Sequence, residues 1–215
     1  CFICVPDNLS FSLKIHVLHV STGQADTMSH VRNVVSVGRN SKAVVIEEHL
    51  GHSDTRYMTN TVTHHVLGDN ASLSSYKIQR EGVGAYHFAG THVDLARNAQ
   101  WDGVLVGSGG LKSRDDVVLN FNREGSHGKF RGCCSLDDKA HHDVHTYMQH
   151  HVGNSSSDQV YKSMLSGKSK GVFNGLIHVA QDADGTDAHL LNNNLLLDPG
   201  VELSTKPELE IFAED

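Results

Sequence analysis

A short phrase recurs along this chain and limits what it can fold into. Apolar residues run into a turn of Gly, Asp or Asn, a small residue follows, and apolar alternation resumes. Val37-Gly38-Arg39-Asn40-Ser41, Leu67-Gly68-Asp69-Asn70-Ala71 and Leu95-Ala96-Arg97-Asn98-Ala99 are the clearest copies. Arg123-Glu124-Gly125-Ser126, Val152-Gly153-Asn154-Ser155 and Gln181-Asp182-Ala183-Asp184 continue the series, and Pro6-Asp7-Asn8-Leu9 opens it. With Asn8, Asn40, Asn70, Asn98, Gly125, Asn154 and Ala183 as markers, the steps are about 32, 30, 28, 27, 29 and 29 residues, a period typical of solenoids. The letters inside the repeats differ. What recurs is the turn and the alternation.

Each period divides at a second turn, as at Glu81-Gly82-Val83-Gly84, Gly107-Ser108-Gly109-Gly110 and Asp137-Asp138-Lys139. The result is two strands of roughly ten residues per repeat. Thr59 to Leu67 alternates and is rich in β-branched residues, which suit a pleated surface. Ser72–Gln79, Lys129–Leu136, Val172–Val179, Leu195–Leu197 and Leu209–Phe212 also read as strands. Ser157 to Leu165 carries a plausible helix cap and no breaker. The surrounding repeat favours a strand there too. The pattern predicts one all-β domain over residues 1–215, a parallel β-helix of about seven two-stranded coils. A single coil cannot bury its apolar side chains, but stacked coils bury them along a continuous axis. An antiparallel β-sandwich is the alternative, although nothing in a sandwich requires a period near thirty.

The formal charge of −7 argues against nucleic-acid binding, which needs a basic patch. No apolar run is long enough for a membrane-crossing helix, so no membrane partner is expected. Four cysteines fall as Cys1/Cys4 and Cys133/Cys134, spacings that give no disulfide framework and favour a reducing compartment. The chain begins at Cys1 and ends at Asp215 directly after an apolar strand, so it reads as an internal piece of a longer protein.

Motifs for turnover chemistry fail on their spacing. Ser166-Gly167-Lys168-Ser169 holds the Gly-Lys-Ser of a phosphate loop, but Lys162 stands where the first glycine belongs. Asp182-Ala183-Asp184-Gly185-Thr186-Asp187 resembles a calcium loop, yet Asp187 and Asn193 occupy the positions that require Gly and Glu. No Gly-x-Ser-x-Gly nucleophile elbow occurs. The best ligand candidates are His141, Asp143 and His145, which alternate by two and so share one strand face. Imidazole and carboxylate suit zinc or iron. His142, His150 and His151 stand nearby. Cys133 and Cys134 could supply thiolate to a metal or iron–sulfur cluster. Neighbouring strand positions point to opposite faces, so each cysteine pair offers one sulfur per face.

The wording of the last third is more specific. Tyr161-Lys162-Ser163-x-Leu165, Gly171-Val172-Phe173-Asn174-Gly175 and Thr186-Asp187-Ala188-His189 are followed by Asn192-x-Asn194-Leu195-Leu196-Leu197 and Thr205-Lys206-Pro207-Glu208-Leu209-Glu210-Ile211. In this order they resemble the SufB/SufD family of iron–sulfur cluster assembly scaffolds, on the SufD side of it. Tyr57-Met58-Thr59-Asn60-Thr61-Val62-Thr63, Tyr86-His87, and Gly109-Gly110 leading to Ser113-Arg114-Asp115-Asp116 carry the resemblance upstream. It implies a right-handed parallel β-helix core. It also implies pairing with SufB and with the ATPase SufC, and a cluster held transiently on the assembled SufBCD complex rather than tightly on this chain. A cytoplasmic or plastid location goes with it, as does the absence of enzymatic turnover by this subunit. The family continues into a Cys-x-His-Gly segment and C-terminal helices that hold SufC, and begins with a helical region, so all of these are expected outside residues 1–215. Leu190 and Asn193 depart from the family's usual Gln and Arg, and Cys133-Cys134 from a usually apolar pair.

Two other readings compete. A carbohydrate-active β-helix enzyme would use carboxylates such as Asp182, Asp184 and Asp187 beside basic residues on one face. A His-rich metal-binding protein would use His141 and His145.

Overall fold

The computed structural model describes residues 1–22, 25–51 and 55–214, with backbone only at residues 11 and 12. Asp215 lies outside the described residues. Fifteen strands and no helix occur among them. One sheet holds β1 (Phe2–Val5), β3 (Thr27–Val37), β5 (Tyr57–Leu67), β7 (Ala85–Leu95), β9 (Lys112–Phe121), β11 (His141–His150), β13 (Lys170–Val179) and β15 (Glu202–Ile211). The other holds β2 (Ser10–Ser21), β4 (Lys42–Gly51), β6 (Ser72–Glu81), β8 (Gln100–Gly109), β10 (His127–Leu136), β12 (Ser156–Leu165) and β14 (Asp187–Leu196). The chain visits the two sheets alternately, and each strand pairs in parallel with the strand one coil away. This is a β-solenoid of about seven coils, and the all-parallel pairing rules out the sandwich. Ser156–Leu165 is strand β12, as the repeat required.

The recurring turn residues hold one corner of the solenoid. Asn8, Asn40, Asn70, Asn98 and Asn154 have φ between 54° and 60°, in the left-handed region that Asn tolerates. Their amides stack along the axis: Asn40 donates to Asn8 at 2.9 Å, Asn70 to Asn40 at 3.0 Å and Asn98 to Asn70 at 3.1 Å. Gly125 takes the next rung, with φ 72°, where a Cβ would fall 2.0 Å from Asn98 Oδ1. The last rung is Gly185, with φ 68°, and not Ala183 as the sequence spacing suggested. Ala183 is fully buried two residues before that rung, and Thr186 follows the rung where most other coils place Ser or Ala. The small residues after the turn, Ser41, Ala71, Ala99, Ser126 and Ser155, form a second buried row.

Side chains pointing inward from both sheets make the core. Leu73, Leu95, Leu119, Phe121, Leu165 and Phe173 are almost wholly buried, each worth roughly 1.5–3 kcal/mol of transfer free energy. Phe121 stacks on His150 at 4.2 Å, and Phe173 on Tyr161 at 4.7 Å. The last coil is different. Leu196, Leu209 and Ile211 continue the inward register of Leu165, Ile177 and Val179, yet each stays more than half exposed. Pro207 lies in β15 opposite Gly175. Proline cannot donate to a ladder and is confined to strands at a sheet edge, which β15 is here.

Candidate functional site: a polar seam inside the solenoid

The interior of this solenoid is not uniformly apolar. In β5 the inward positions are Thr59, Thr61, Thr63 and His65, all buried, while Val62 points outward. Glu47 and His49 on β4, Lys77, Gln79 and Glu81 on β6, His87 on β7, Ser113 and Asp115 on β9, and His142 on β11 are buried as well. Parallel register brings them into line. Glu47 sits beside Lys77, His49 beside Gln79, Thr59 beside His87, His87 beside Ser113, and Ser113 beside His142.

Buried polar groups survive only when they satisfy one another. At one end of the seam Glu47 accepts from Asn33 (3.1 Å), Thr63 (2.7 Å) and His49 (2.9 Å). Burial opposes its charge, but His49 and Lys77 bring its pKa down to about 2. The His49 ring meets His87 edge-on at 4.8 Å, and His87 Nδ1 lies 2.8 Å from Glu81 Oε2. Thr59 donates to Glu81 at 3.0 Å, and Gln79 reaches both Glu81 and Ser113 at 3.3 Å. Burial and the Lys77 charge depress the His87 pKa to about 4, so this imidazole is neutral at pH 7.

Asp115 anchors the far end. Its carboxylate, 2% exposed, is ion-paired with Lys77 and lies 2.9 Å from His142 Nε2. Burial acts against the charge of His142, but Asp115 and the neighbouring Cys134 sulfur raise its pKa to about 9. Asp115 in turn is held far below the usual carboxylate range: burial alone would raise it, and Lys77 and His142 prevail. The seam ends at Cys134, whose sulfur accepts a bond from the Tyr161 hydroxyl at 3.1 Å. Burial and Cys134 push the Tyr161 pKa up. Glycines make the room: a Cβ on Gly107 would lie 2.5 Å from His142 Cε1, and one on Gly132 would lie 2.4 Å from the Tyr161 ring. A cationic imidazole, a carboxylate, a thiol and a phenol are thus held together away from water.

His141, Asp143 and His145 do share a face of β11, and it is the outer one. Asp143 is taken up by the Arg114 guanidinium at 3.0 Å and by His145 at 2.8 Å. The residue between them, His142, is the one that points into the seam. Cys133 and Cys134 lie on the opposite sheet, Cys133 exposed and Cys134 buried, one sulfur per face as alternation requires. The five candidates therefore do not form a single set. Cys1 and Cys4 are both exposed, because Cys1 precedes β1 and strand alternation does not govern it. Asp182 and Asp184 are exposed in the turn before β14, and Asp187 pairs with His189 at 3.0 Å. Sequence reasoning missed the seam. A signal was available in the inverted alternation of Thr59–Leu67 and in Glu47-x-His49 and Lys77-x-Gln79 at matching positions of successive coils.

A sequence profile described as "SUF system FeS cluster assembly, SufBD core domain" matches residues 19–215. The chain belongs to the SufB/SufD family. The iron–sulfur cluster assembly protein SufD of Escherichia coli K12 is 32% identical over 203 residues, covering 94% of this chain and 48% of that protein. A SufBD-family iron–sulfur cluster assembly protein of Synechocystis is 25% identical, covering 99% of this chain and 49% of its own length. The chloroplastic protein ABCI7 of Arabidopsis thaliana is 26% identical, covering 99% and 46%. This SufBD-family chain thus spans about half the length of the curated relatives it matches. Its solenoid is the fold that the SufB/SufD-like motifs implied.

Proposed function

We propose that the chain is the solenoid core of a SufD-type scaffold subunit, which pairs with SufB and works with the ATPase SufC. It supports iron–sulfur cluster assembly without catalysing turnover itself. The cluster is cargo of the assembled complex rather than a cofactor resident in this chain. One observation carries the reading. The SufBD core profile covers residues 19–215, and the Escherichia coli protein named SufD is 32% identical over a match that takes in 94% of this chain. The named SufD relative in Escherichia coli and the chloroplastic relative in Arabidopsis favour a bacterial cytoplasmic or plastid setting.

The test is co-purification. The full-length protein is co-expressed with SufB and SufC and recovered through one tag. Both partners should come down with it. Failure to recover SufB overturns the proposal.

A further inference from the structure

The upstream end of the seam has a composition that structural packing alone does not explain. His19 Nε2 lies 3.6 Å from Glu47 Oε1, and His49 Nε2 lies 2.9 Å from the same oxygen. The two imidazoles stack with centroids 4.6 Å apart. Asn33 Nδ2 at 3.1 Å and the Thr61 hydroxyl at 3.4 Å also converge on Glu47 Oε1. Four polar groups crowd one oxygen that has two lone pairs, while His49 Nδ1 is buried with no hydrogen-bond partner. Among the described residues, His19, Glu47 and His49 are the one His/Cys/Asp/Glu group whose ligand atoms all lie within 4.8 Å of one another.

We propose that His19, Glu47 and His49 bind one divalent transition metal of the zinc or iron(II) class. Two imidazoles and one carboxylate are a recurrent donor set for these ions, with a position left open for an exogenous ligand. Metal–ligand bonds of about 2.0–2.2 Å place donor atoms roughly 3.3 Å apart in a tetrahedron. The two distances to Glu47 bracket that value, and all three donor atoms lie within 4.8 Å of one another. Glu47 Oε2 is fixed by the Thr63 hydroxyl at 2.7 Å, the kind of outer contact that orients a ligating carboxylate. The site is also reachable. His19 and His49 line a cavity of about 450 Å³ with Ser21, Met28, Tyr57 and Met58, wide enough to admit a small ligand. This inference stands independently of the scaffold reading, since it concerns a metal held in the upstream coils and not the pairing with other subunits.

Metal-free full-length protein is titrated with zinc, and with iron(II) under anaerobic conditions, by calorimetry. Cobalt(II) serves as a spectroscopic substitute. The variants are Glu47→Gln and His19→Gln, with His145→Gln on the outer face as control, and circular dichroism verifies folding. One equivalent of zinc or iron(II) should bind, cobalt should give a visible d–d absorption, and each inner variant should weaken binding at least tenfold. The His145→Gln control should bind as wild type. If Glu47→Gln fails to fold, the partly exposed His19→Gln carries the test alone. Absence of stoichiometric binding, or binding unchanged in His19→Gln, overturns the proposal and leaves the cluster a purely structural one.

Discussion

Replacing Lys77 with methionine should expose how much the seam depends on charge balance. Methionine keeps the stem that packs in the interior and removes the cation. Asp115 is then left 2% exposed with His142 as its single cationic partner, where the wild type has two. Removing one member of a buried ion pair costs about 3–5 kcal/mol, because the surviving charge stays desolvated. Against a total stability of about 5–15 kcal/mol, that is a large fraction. At roughly 2–4 °C per kcal/mol for a chain of this size, the melting midpoint should fall by about 6–20 °C. Thermal melts at pH 7, followed by far-ultraviolet circular dichroism, read the shift. Adding Asp115→Asn to the Lys77→Met background removes the stranded carboxylate and should recover at least about 1 kcal/mol. A drop below about 2 °C in the single variant would refute the reasoning, because Asp115 would then have to be neutral or hydrated. A double variant less stable than the single one would refute it equally.

Two further outcomes follow from the same geometry. His65 and His150 are buried, and desolvation lowers each pKa to about 4 from an ordinary 6.5, so the unfolded chain binds more protons between those values. Stability should therefore fall as pH drops from about 6.5 towards 4, by up to about 3 kcal/mol per histidine. His142, with its pKa raised to about 9, adds an alkaline limb: its contribution is complete below about 6.5 and is lost as pH rises through 9. Urea midpoints between pH 4 and 10 should show both limbs, and an acid limb that persists undiminished in His150→Asn would contradict the assignment. Gly125→Ala should cost about 1–3 kcal/mol, through its positive φ and the collision with Asn98 Oδ1, and chemical denaturation should detect it.

The architecture was legible because its corners are written in a restricted alphabet. Asn8, Asn40, Asn70 and Asn98 stand where the backbone needs a left-handed residue, so spacing alone located the coils. The last corner was misplaced by two residues because Asp182-Ala183-Asp184-Gly185 offers several turn formers, and the backbone takes the glycine. The seam was illegible for a different reason. Alternation identifies two faces but not which one is inside, and the usual rule places the apolar face inward. In Thr59–Leu67 the inward face is mostly hydroxyl and imidazole, which settle there only because Glu47 and Glu81 on the facing sheet meet them. The same ambiguity drew attention to His141, Asp143 and His145 and past His142. Whether a strand residue meets a partner in the facing sheet depends on two registers at once, and a single sequence shows neither.

The stacked corner asparagines have a mechanical consequence. Every rung leans on the one before it, and each strand is bonded only to the coils above and below. Such a molecule opens coil by coil, because each coil that loosens unpairs the next. Peptide groups of β5 to β9, clamped by further coils on both sides, should therefore exchange their hydrogens slowly. The seam lies largely among those clamped strands, which keeps its charges in register.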